Sequence, residues 1–288
     1  MKKNKCMLLG AMGIFGTVGI FKKWIPIGAA EVAFARGVLG VLFLLAVMLL
    51  TRQKFDRAAV KRNLLILCLS GAAIGFNWVL LFESYNHTSV ATATVCYYMA
   101  PLFLILASPL LGERLTPKKL LCVAVALVGL VFVSGMMDSG IPALSELKGV
   151  GLALGAAALY AGVMLLNKKL SPIPAYDKTI LQLGAAAAVL LPVVLLRGGF
   201  DISAMTGTTW AFLLLVGFVH TGAAYAMYFG SMKDLEAHTI AVFSYLDPVI
   251  AVVISALLPS EPPMTAWGVI GTVLILGSAL YSELPAKK

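Results

Sequence analysis

The chain carries one pattern twice, and this repetition constrains its fold more than any other feature. When the segment 75–101 is placed over 222–248, with a shift of 147 residues, seven positions hold the same amino acid in both segments. The identical pairs are Gly75/Gly222, Phe82/Phe229, Ser84/Ser231, Thr92/Thr239, Val95/Val242, Tyr98/Tyr245 and Pro101/Pro248. The match continues with small gaps towards both ends, so the sequence predicts one structural unit written twice.

Composition places most of this chain in a lipid bilayer. Hydrophobic residues make up 60% of the chain and charged residues 12%, with a mean hydropathy of +0.96, whereas soluble domains carry about 25% charged residues. The net charge of +9 is spread between apolar runs, so no nucleic-acid partner is predicted. The four cysteines fall within apolar runs without paired spacing, which predicts free thiols and neither disulfides nor a metal site.

Apolar runs of spanning length predict an all-α membrane protein with ten transmembrane helices. The expected spans are 6–24, 29–50, 63–84, 88–111, 118–137, 149–167, 177–196, 209–231, 238–259 and 264–282. The first run resembles a secretory signal, but a retained helix is expected because many spans follow. The predicted organisation is a first repeat at 1–137, a linker at 138–148 and a second repeat at 149–288.

The distribution of basic residues predicts the orientation of the chain. With the N-terminus inside, 17 of the 22 Lys and Arg residues fall on the cytoplasmic side, four fall on the other side, and Arg36 lies within a span. Both termini are therefore expected in the cytoplasm of a cell-membrane protein. Five spans per repeat is an odd number, so the second repeat crosses the membrane inverted relative to the first. Secondary transporters share this plan and bind their solute where the repeats meet.

Pro101 and Pro248 lie at equivalent positions in the fourth and ninth spans. Each proline lacks an N–H, so the carbonyls of Tyr97 and Ser244, four residues earlier, lose their helical donor. Freed backbone groups are tolerated in lipid where protein or a wet cavity satisfies them. The two prolines predict kinked helices beside a cavity, with a simple packing kink as the alternative.

Aromatic residues lie at matched positions inside the predicted spans. Trp78 and Phe82 share a helix face, and Tyr225 and Phe229 repeat their spacing. Trp and Tyr usually gather at membrane interfaces, so their presence at depth favours a cavity wall over core packing or lipid contact, which remain the alternatives. The predicted substrate-binding residues are Trp78, Thr92, Tyr98, Tyr225, Thr239 and Tyr245.

Ionisable residues inside spans are costly and are functional candidates by default. The candidates for coupling or gating are Lys22, Glu31, Arg36, His220 and Asp247. Arg36 could equally form a static ion pair. Asp247 near the midplane is a candidate proton site, or a neutral acid hydrogen-bonded to nearby backbone. A proton is therefore the candidate coupling ion.

The chain lacks sequence motifs for catalysis. It has no H-E-x-x-H, P-loop or G-x-S-x-G pattern, and its three histidines lack metal-ligand spacing. We therefore expect neither an enzyme nor a cofactor. A membrane-embedded enzyme, a channel and a non-transporting scaffold remain the alternatives to a carrier.

Three short motifs resemble those of the drug/metabolite transporter superfamily, specifically its EamA-type members. They are Phe243-Ser244-Tyr245-Leu246-Asp247-Pro248-Val249, Tyr98-Met99-Ala100-Pro101-Leu102 and Gly112-Glu113-Arg114-Leu115-Thr116. The placement of Lys22 and Arg36 also fits, and the resemblance covers essentially the whole chain. It implies two five-helix repeats, a central cavity lined by helices 1, 3, 4, 6, 8 and 9, and export or exchange of amino acids or other small metabolites.

This chain departs from the family pattern at three places. Phe15-Gly16 stands where Trp-Gly is common, Glu31 replaces an uncharged residue, and the second Gly-Glu motif reads Pro259-Ser260-Glu261. The substrates of relatives are therefore not carried over to this chain.

The topology is tested with a reporter fused after Lys288. We expect activity from a reporter that works only in the cytoplasm, because most basic residues flank the spans on that side. A fusion that is active only outside the cell would contradict this orientation.

Overall fold

A computed structural model describes residues 2–112, 115–134, 136–139, 143–232, 235 and 237–283, and these residues form helices and no strand. The predicted all-α fold class is confirmed. Glu113 and Arg114 of the Gly-Glu motif, part of the linker, Lys233 and the last five residues lie outside the described part of the chain.

The described residues contain ten long helices, three of them divided into segments. They are α1 (Lys2–Lys23), α2 (Ala29–Leu50), α3 (Arg57–Ser84), α4 (Val90–Tyr97 and Ala100–Ala107), α5 (Pro117–Val133), α6 (Leu144–Lys168), α7 (Ala175–Leu196), α8 (Gly207–Leu214, Leu215–Ala223 and Ala224–Met232), α9 (Ala237–Ser244 and Leu246–Leu257) and α10 (Ala266–Glu283). Short helical turns lie at Ser108–Leu111, Met136–Ser139 and Ile202–Ala204.

Length and composition suit these helices to a membrane. Seven of the described helices are long and apolar enough to cross it, and apolar segments of α9 and α10 are shorter. Leucines at the helix ends are largely uncovered, with Leu50 84% and Leu196 89% exposed. Such a surface suits lipid and not water. The chain is a multi-pass membrane protein.

Side-chain caps fix where several helices begin. Asp56 accepts a hydrogen bond from the amide of Ala59, so α3 starts six residues before the expected edge at 63. Thr116 caps α5 in the same way, and Pro117 occupies its first turn, where a missing N–H costs nothing.

Both α4 and α9 are interrupted just before their prolines, as the two-proline pattern predicts. The first segment of α4 ends at Tyr97, and the second begins at Ala100, one residue before Pro101. In α9 the corresponding break lies at Tyr245, three residues before Pro248. The chain therefore turns at the two tyrosines that the repeat pairs, Tyr98 and Tyr245.

Each major helix contact has a counterpart in which the two repeats are interchanged. Helix α1 packs on α8 and α9, and α6 correspondingly packs on α3 and α4. Helix α2 contacts α8 as α7 contacts α3, while α2–α7 and α5–α10 are contacts between equivalent helices. Each repeat thus completes its packing against the other repeat, as expected for one unit written twice.

Glycines allow the equivalent helices α5 and α10 to approach closely. A Cβ at Gly271 would lie 2.5 Å from the carbonyl oxygen of Gly129, and a Cβ at Gly129 would lie 2.8 Å from that of Gly271. Because backbone lies on both sides, neither helix can yield by moving a flexible side chain. This contact fastens the ends of the two repeats together.

Replacing one glycine of α10 tests this contact. We expect Gly271→Ala to lower the thermal midpoint in detergent, since overpacking at a close contact costs about 1–3 kcal/mol. Gly277→Ala on the same helix is the matched control, because nothing lies within 4 Å of its Cβ position. Equal midpoints for the two variants would show that the α5–α10 contact contributes nothing.

Candidate functional site

A central cavity of about 400 Å³ lies where the two repeats meet. Its wall is formed by α1, α3, α4, α6, α8 and α9, with Arg36 contributed by α2. Nine of the described aromatic side chains line it: Phe15, Trp78, Tyr85, Tyr97, Tyr98, Tyr160, Tyr225, Tyr228 and Tyr245. The cavity is thus both aromatic and rich in hydroxyl groups.

Four of the six predicted substrate-binding residues line this cavity. Tyr98 and Tyr245, which the repeat pairs, have ring centroids 6.0 Å apart. Tyr225 stacks on Phe229 with an interplanar angle of 10°, and Trp78 lies on the opposite repeat. The helix breaks at Tyr98 and Tyr245 place both side chains at the junction of the repeats.

The two predicted threonines are not part of the cavity wall that the structure describes. The hydroxyl of Thr92 accepts a hydrogen bond from Ser89 in the first turn of α4. Thr92 is therefore part of a helix cap and is not brought to the cavity. The side chain of Thr239 lies outside the described residues.

Asp247 lines the cavity in the first turn of the second segment of α9. Its Oδ2 accepts a hydrogen bond of 2.8 Å from the hydroxyl of Tyr98. The same hydroxyl lies 3.4 Å from the carbonyl of Ser244, but its single proton serves the shorter contact. Asp247 is thus tied by a side chain of the other repeat, and the described residues give its carboxylate no backbone donor.

Arg36 is buried, being 5% exposed, and it also lines the cavity. Its Nε donates to the hydroxyl of Thr221 at 2.7 Å, and its guanidinium carbon lies 4.1 Å from the ring centroid of Trp78. The ion pairs within the described residues are Lys23–Glu261 and His87–Glu83. The described residues therefore contain no ion pair with Arg36, which the sequence had left as an alternative.

The other three ionisable candidates lie away from the cavity wall. Lys22 donates to Asn86 at 3.2 Å at the end of α1. Glu31 is 7% exposed in the first turn of α2, and its Oε2 has no hydrogen-bond partner among the described residues. His220 lies 2.9 Å from the hydroxyl of Thr17.

A buried carboxylate joins several elements at the end of the bundle that contains Lys23, here called the Lys23 end. Glu261 forms an ion pair with Lys23 at 2.5 Å, and its Oε2 accepts from the amide of Val90 at 2.9 Å and from Ser255 at 3.3 Å. These groups come from α1, α4 and α9, so Glu261 ties both repeats together. Close to this tie, a Cβ at Gly19 would lie 2.6 Å from Val90.

Sequence reasoning missed several cavity residues. Asn77 is 1% exposed and donates to the carbonyl of Ala156 at 2.5 Å, linking α3 to α6. Tyr97 and Tyr160 line the wall with ring centroids 5.5 Å apart. Asn77 could have been found as an amide inside an apolar run. Tyr97 lies opposite Ser244 and so has no aromatic repeat partner. Tyr160 lies opposite Phe15 when Gly155 is placed over Gly10, and this match could have indicated both residues.

A second pocket, of about 500 Å³, lies between α2, α8 and the segment that connects α7 to α8. Its lining side chains are hydrophobic and include Phe34, Phe200 and Trp210. A solute with several polar groups would find few partners there. The central cavity is therefore the candidate functional site.

Two repeats that enclose a polar, aromatic cavity within a multi-pass helical membrane protein follow the plan of many secondary transporters. The EamA-like transporter family matches the chain at residues 3–135 and 147–282. The chain belongs to this family, within the drug/metabolite transporter superfamily, and the resemblance seen in the sequence is confirmed.

Similar proteins agree with this assignment, and a solved structure shares the fold. An uncharacterized transporter of Bacillus subtilis (strain 168), YxxF, is 31% identical over 94% of this chain and 86% of its own length. Protein RarD of Salmonella typhi is 24% identical over 91% of this chain and 88% of its own. A crystal structure of another protein shares the fold with a TM-score of 0.67 at 18% identity, covering 98% of this chain and 96% of that one.

The tie at the Lys23 end predicts an order of stabilities. Lys23→Gln is expected to lower the thermal midpoint more than Glu261→Gln. The first change leaves a carboxylate, whose side chain is 1% exposed, without its cation, whereas Lys23 is 28% exposed and can reach water. Lys148→Gln, at an exposed position, is the control. The reverse order would contradict the view that Glu261 is the costly partner.

Proposed function

We propose that this chain is a secondary transporter that moves a small, amino-acid-like organic solute by alternating access through the central cavity. Export or exchange is the expected direction, in a cell membrane with both termini in the cytoplasm. In this mechanism one repeat rocks against the other around a site at their junction. The cavity lies at that junction, and the Glu261 tie is the kind of contact that such rocking would make and break.

The observation that best supports this proposal is the presence of a basic and an acidic residue in one cavity. Arg36 and Asp247 both line it, and no ion pair joins them in the described structure. A cation and a carboxylate held apart within an aromatic wall suit a solute that carries both signs of charge. Polar groups that fix orientation inside a mostly apolar pocket are typical of small-molecule sites.

Flux through purified protein in liposomes separates this function from its rivals. Saturable solute exchange favours a carrier, non-saturable flux favours a channel, and chemical turnover without movement favours an enzyme. A thermal-shift screen of metabolites comes first, because a ligand that binds only the folded state raises the apparent stability. Absence of both flux and thermal shift across amino acids and related solutes would overturn the proposal.

Asp247 supplies the test of proton coupling. If the carrier is proton-coupled, Asp247→Asn should abolish uptake driven by a pH gradient and leave exchange at equilibrium, because exchange needs no net proton movement. Tyr98→Ala and Tyr245→Ala should instead weaken binding, because they remove cavity wall and not a coupling charge. Tyr98→Ala also removes the hydroxyl that donates to Asp247, so Tyr245→Ala is the variant that changes the wall alone. Uptake and exchange are both measured in liposomes with the solute found in the screen.

Asp201→Asn is the control for Asp247→Asn, because Asp201 is an exposed acid after α7. Glu31→Gln, measured in the same way, tests Glu31, the other acidic candidate for coupling. Normal gradient-driven uptake by Asp247→Asn, together with unchanged binding in both tyrosine variants, would show that these residues only pack the helices.

A further inference from the structure

The guanidinium of Arg36 is held at one nitrogen and free at the other two. Nε donates to Thr221, while the structure describes no hydrogen-bond partner for either Nη. Neither Nη is among the enclosed, unpartnered polar atoms of the described residues, and Arg36 lines the cavity. Its two Nη groups therefore face the cavity.

A planar fork of N–H donors matches a carboxylate. Guanidinium binds carboxylates through two parallel hydrogen bonds, and such charge-assisted pairs are stronger than neutral ones. Trp78 holds the plane of the fork from one side, with the guanidinium carbon 4.1 Å from its ring centroid. A buried cation without an anion is costly, so the empty side of the fork favours an anionic ligand.

Thr221 can only accept the hydrogen bond from Arg36. Its hydroxyl proton is donated to the carbonyl of Val216 at 3.0 Å, so its oxygen is left as the acceptor for Nε. Thr221 is fully buried, and a Cβ at Gly40 of α2 would lie 2.6 Å from its methyl group. Thr221 is therefore fixed against α2, directly beside the arginine.

The contact depends on an irregular turn of α8. Leu215–Ala223 is a π-helix, and the Thr221 hydroxyl reaches the carbonyl five residues earlier instead of four. In a regular helix each residue is rotated by about 100° from the previous one, so an extra residue per turn changes which face meets α2. Such π-helical turns are frequent at functional sites.

We propose that Arg36 is the receptor for a carboxylate of the transported solute, and that Thr221, presented by the π-helical turn of α8, is the residue that aims it into the cavity. This inference rests on the central cavity being the solute site. Arg36 touches the solute, and Thr221 acts through Arg36 as a positioning residue.

Two fluorinated probes of nearly equal shape test the receptor without knowledge of the natural solute. They are 4-fluorobenzoate and 4-fluorobenzamide, titrated with purified protein and followed by fluorine NMR. The wild type should bind the benzoate more tightly than the benzamide by about tenfold to a hundredfold, the range for hydrogen bonds to charged groups. Equal affinity for the two, or no saturable binding of the benzoate, overturns the proposal.

Variants then assign the preference to named groups. Arg36→Gln and Arg36→Lys should both remove it, because lysine keeps the charge but lacks the fork. Arg197→Gln, at the exposed end of α7, should keep it and so excludes attraction to the basic surface. Retention of the preference in Arg36→Gln overturns the receptor role.

The positioning role has its own readout. Thr221→Val should weaken benzoate binding about threefold to tenfold and leave benzamide binding unchanged, and Thr221→Ser should restore the wild-type preference. A benzoate preference that is unchanged in Thr221→Val overturns the role of Thr221. Thermal midpoints of the variants are compared with wild type, so that unfolding is not mistaken for a change in the orientation of the Arg36 guanidinium.

The outcome is separable from that of the transport proposal. Solute exchange in liposomes without any carboxylate preference would support the transport proposal and contradict the role of Arg36 as carboxylate receptor. If the protein moves no solute but prefers a carboxylate in a way that depends on Arg36, the binding site is supported and the transport proposal is contradicted.

Discussion

A polar group inside a bilayer must find its partner within the protein, and this constraint organises the structure. The chain meets it at Asp247 through the hydroxyl of Tyr98, and it satisfies the buried Glu261 between α9 and α10 through Lys23 and the amide of Val90. Each of these links joins one repeat to the other. Polar satisfaction in lipid and assembly of the two repeats are therefore achieved by the same contacts.

The sequence predicted the fold well because the features that determine it are visible along the chain. Apolar runs and repeated residues report spans and duplication directly, and Pro101 and Pro248 report where two helices break. Helix starts were less predictable: α3 begins at its Asp56 cap, within a polar stretch that hydropathy alone does not count. Caps are local hydrogen bonds, so they act outside the apolar period.

Two signals in the sequence indicated cavity residues. Arg36 and Asp247 stood out as ionisable residues within spans, and Tyr98 and Tyr245 because they match each other, whereas Tyr97 lines the cavity without a matched aromatic residue. Thr92 matched its partner but belongs to a helix cap. A residue that recurs in both repeats indicates a structural feature that the repeats share. That feature can be a helix cap as well as a cavity wall. The role of Glu261 depends on contacts with α1, α4 and α9 that no local pattern contains.

The charges of the cavity break the symmetry that its helices keep. The repeat places Leu183 opposite Arg36 and Ala100 opposite Asp247, so one repeat supplies a basic group and the other an acidic group. The helix contacts are equivalent in the two repeats, but the polar groups inside the cavity are not. Because one group is basic and the other acidic, a dipolar group between them would have one favoured orientation, which a symmetric cavity could not impose.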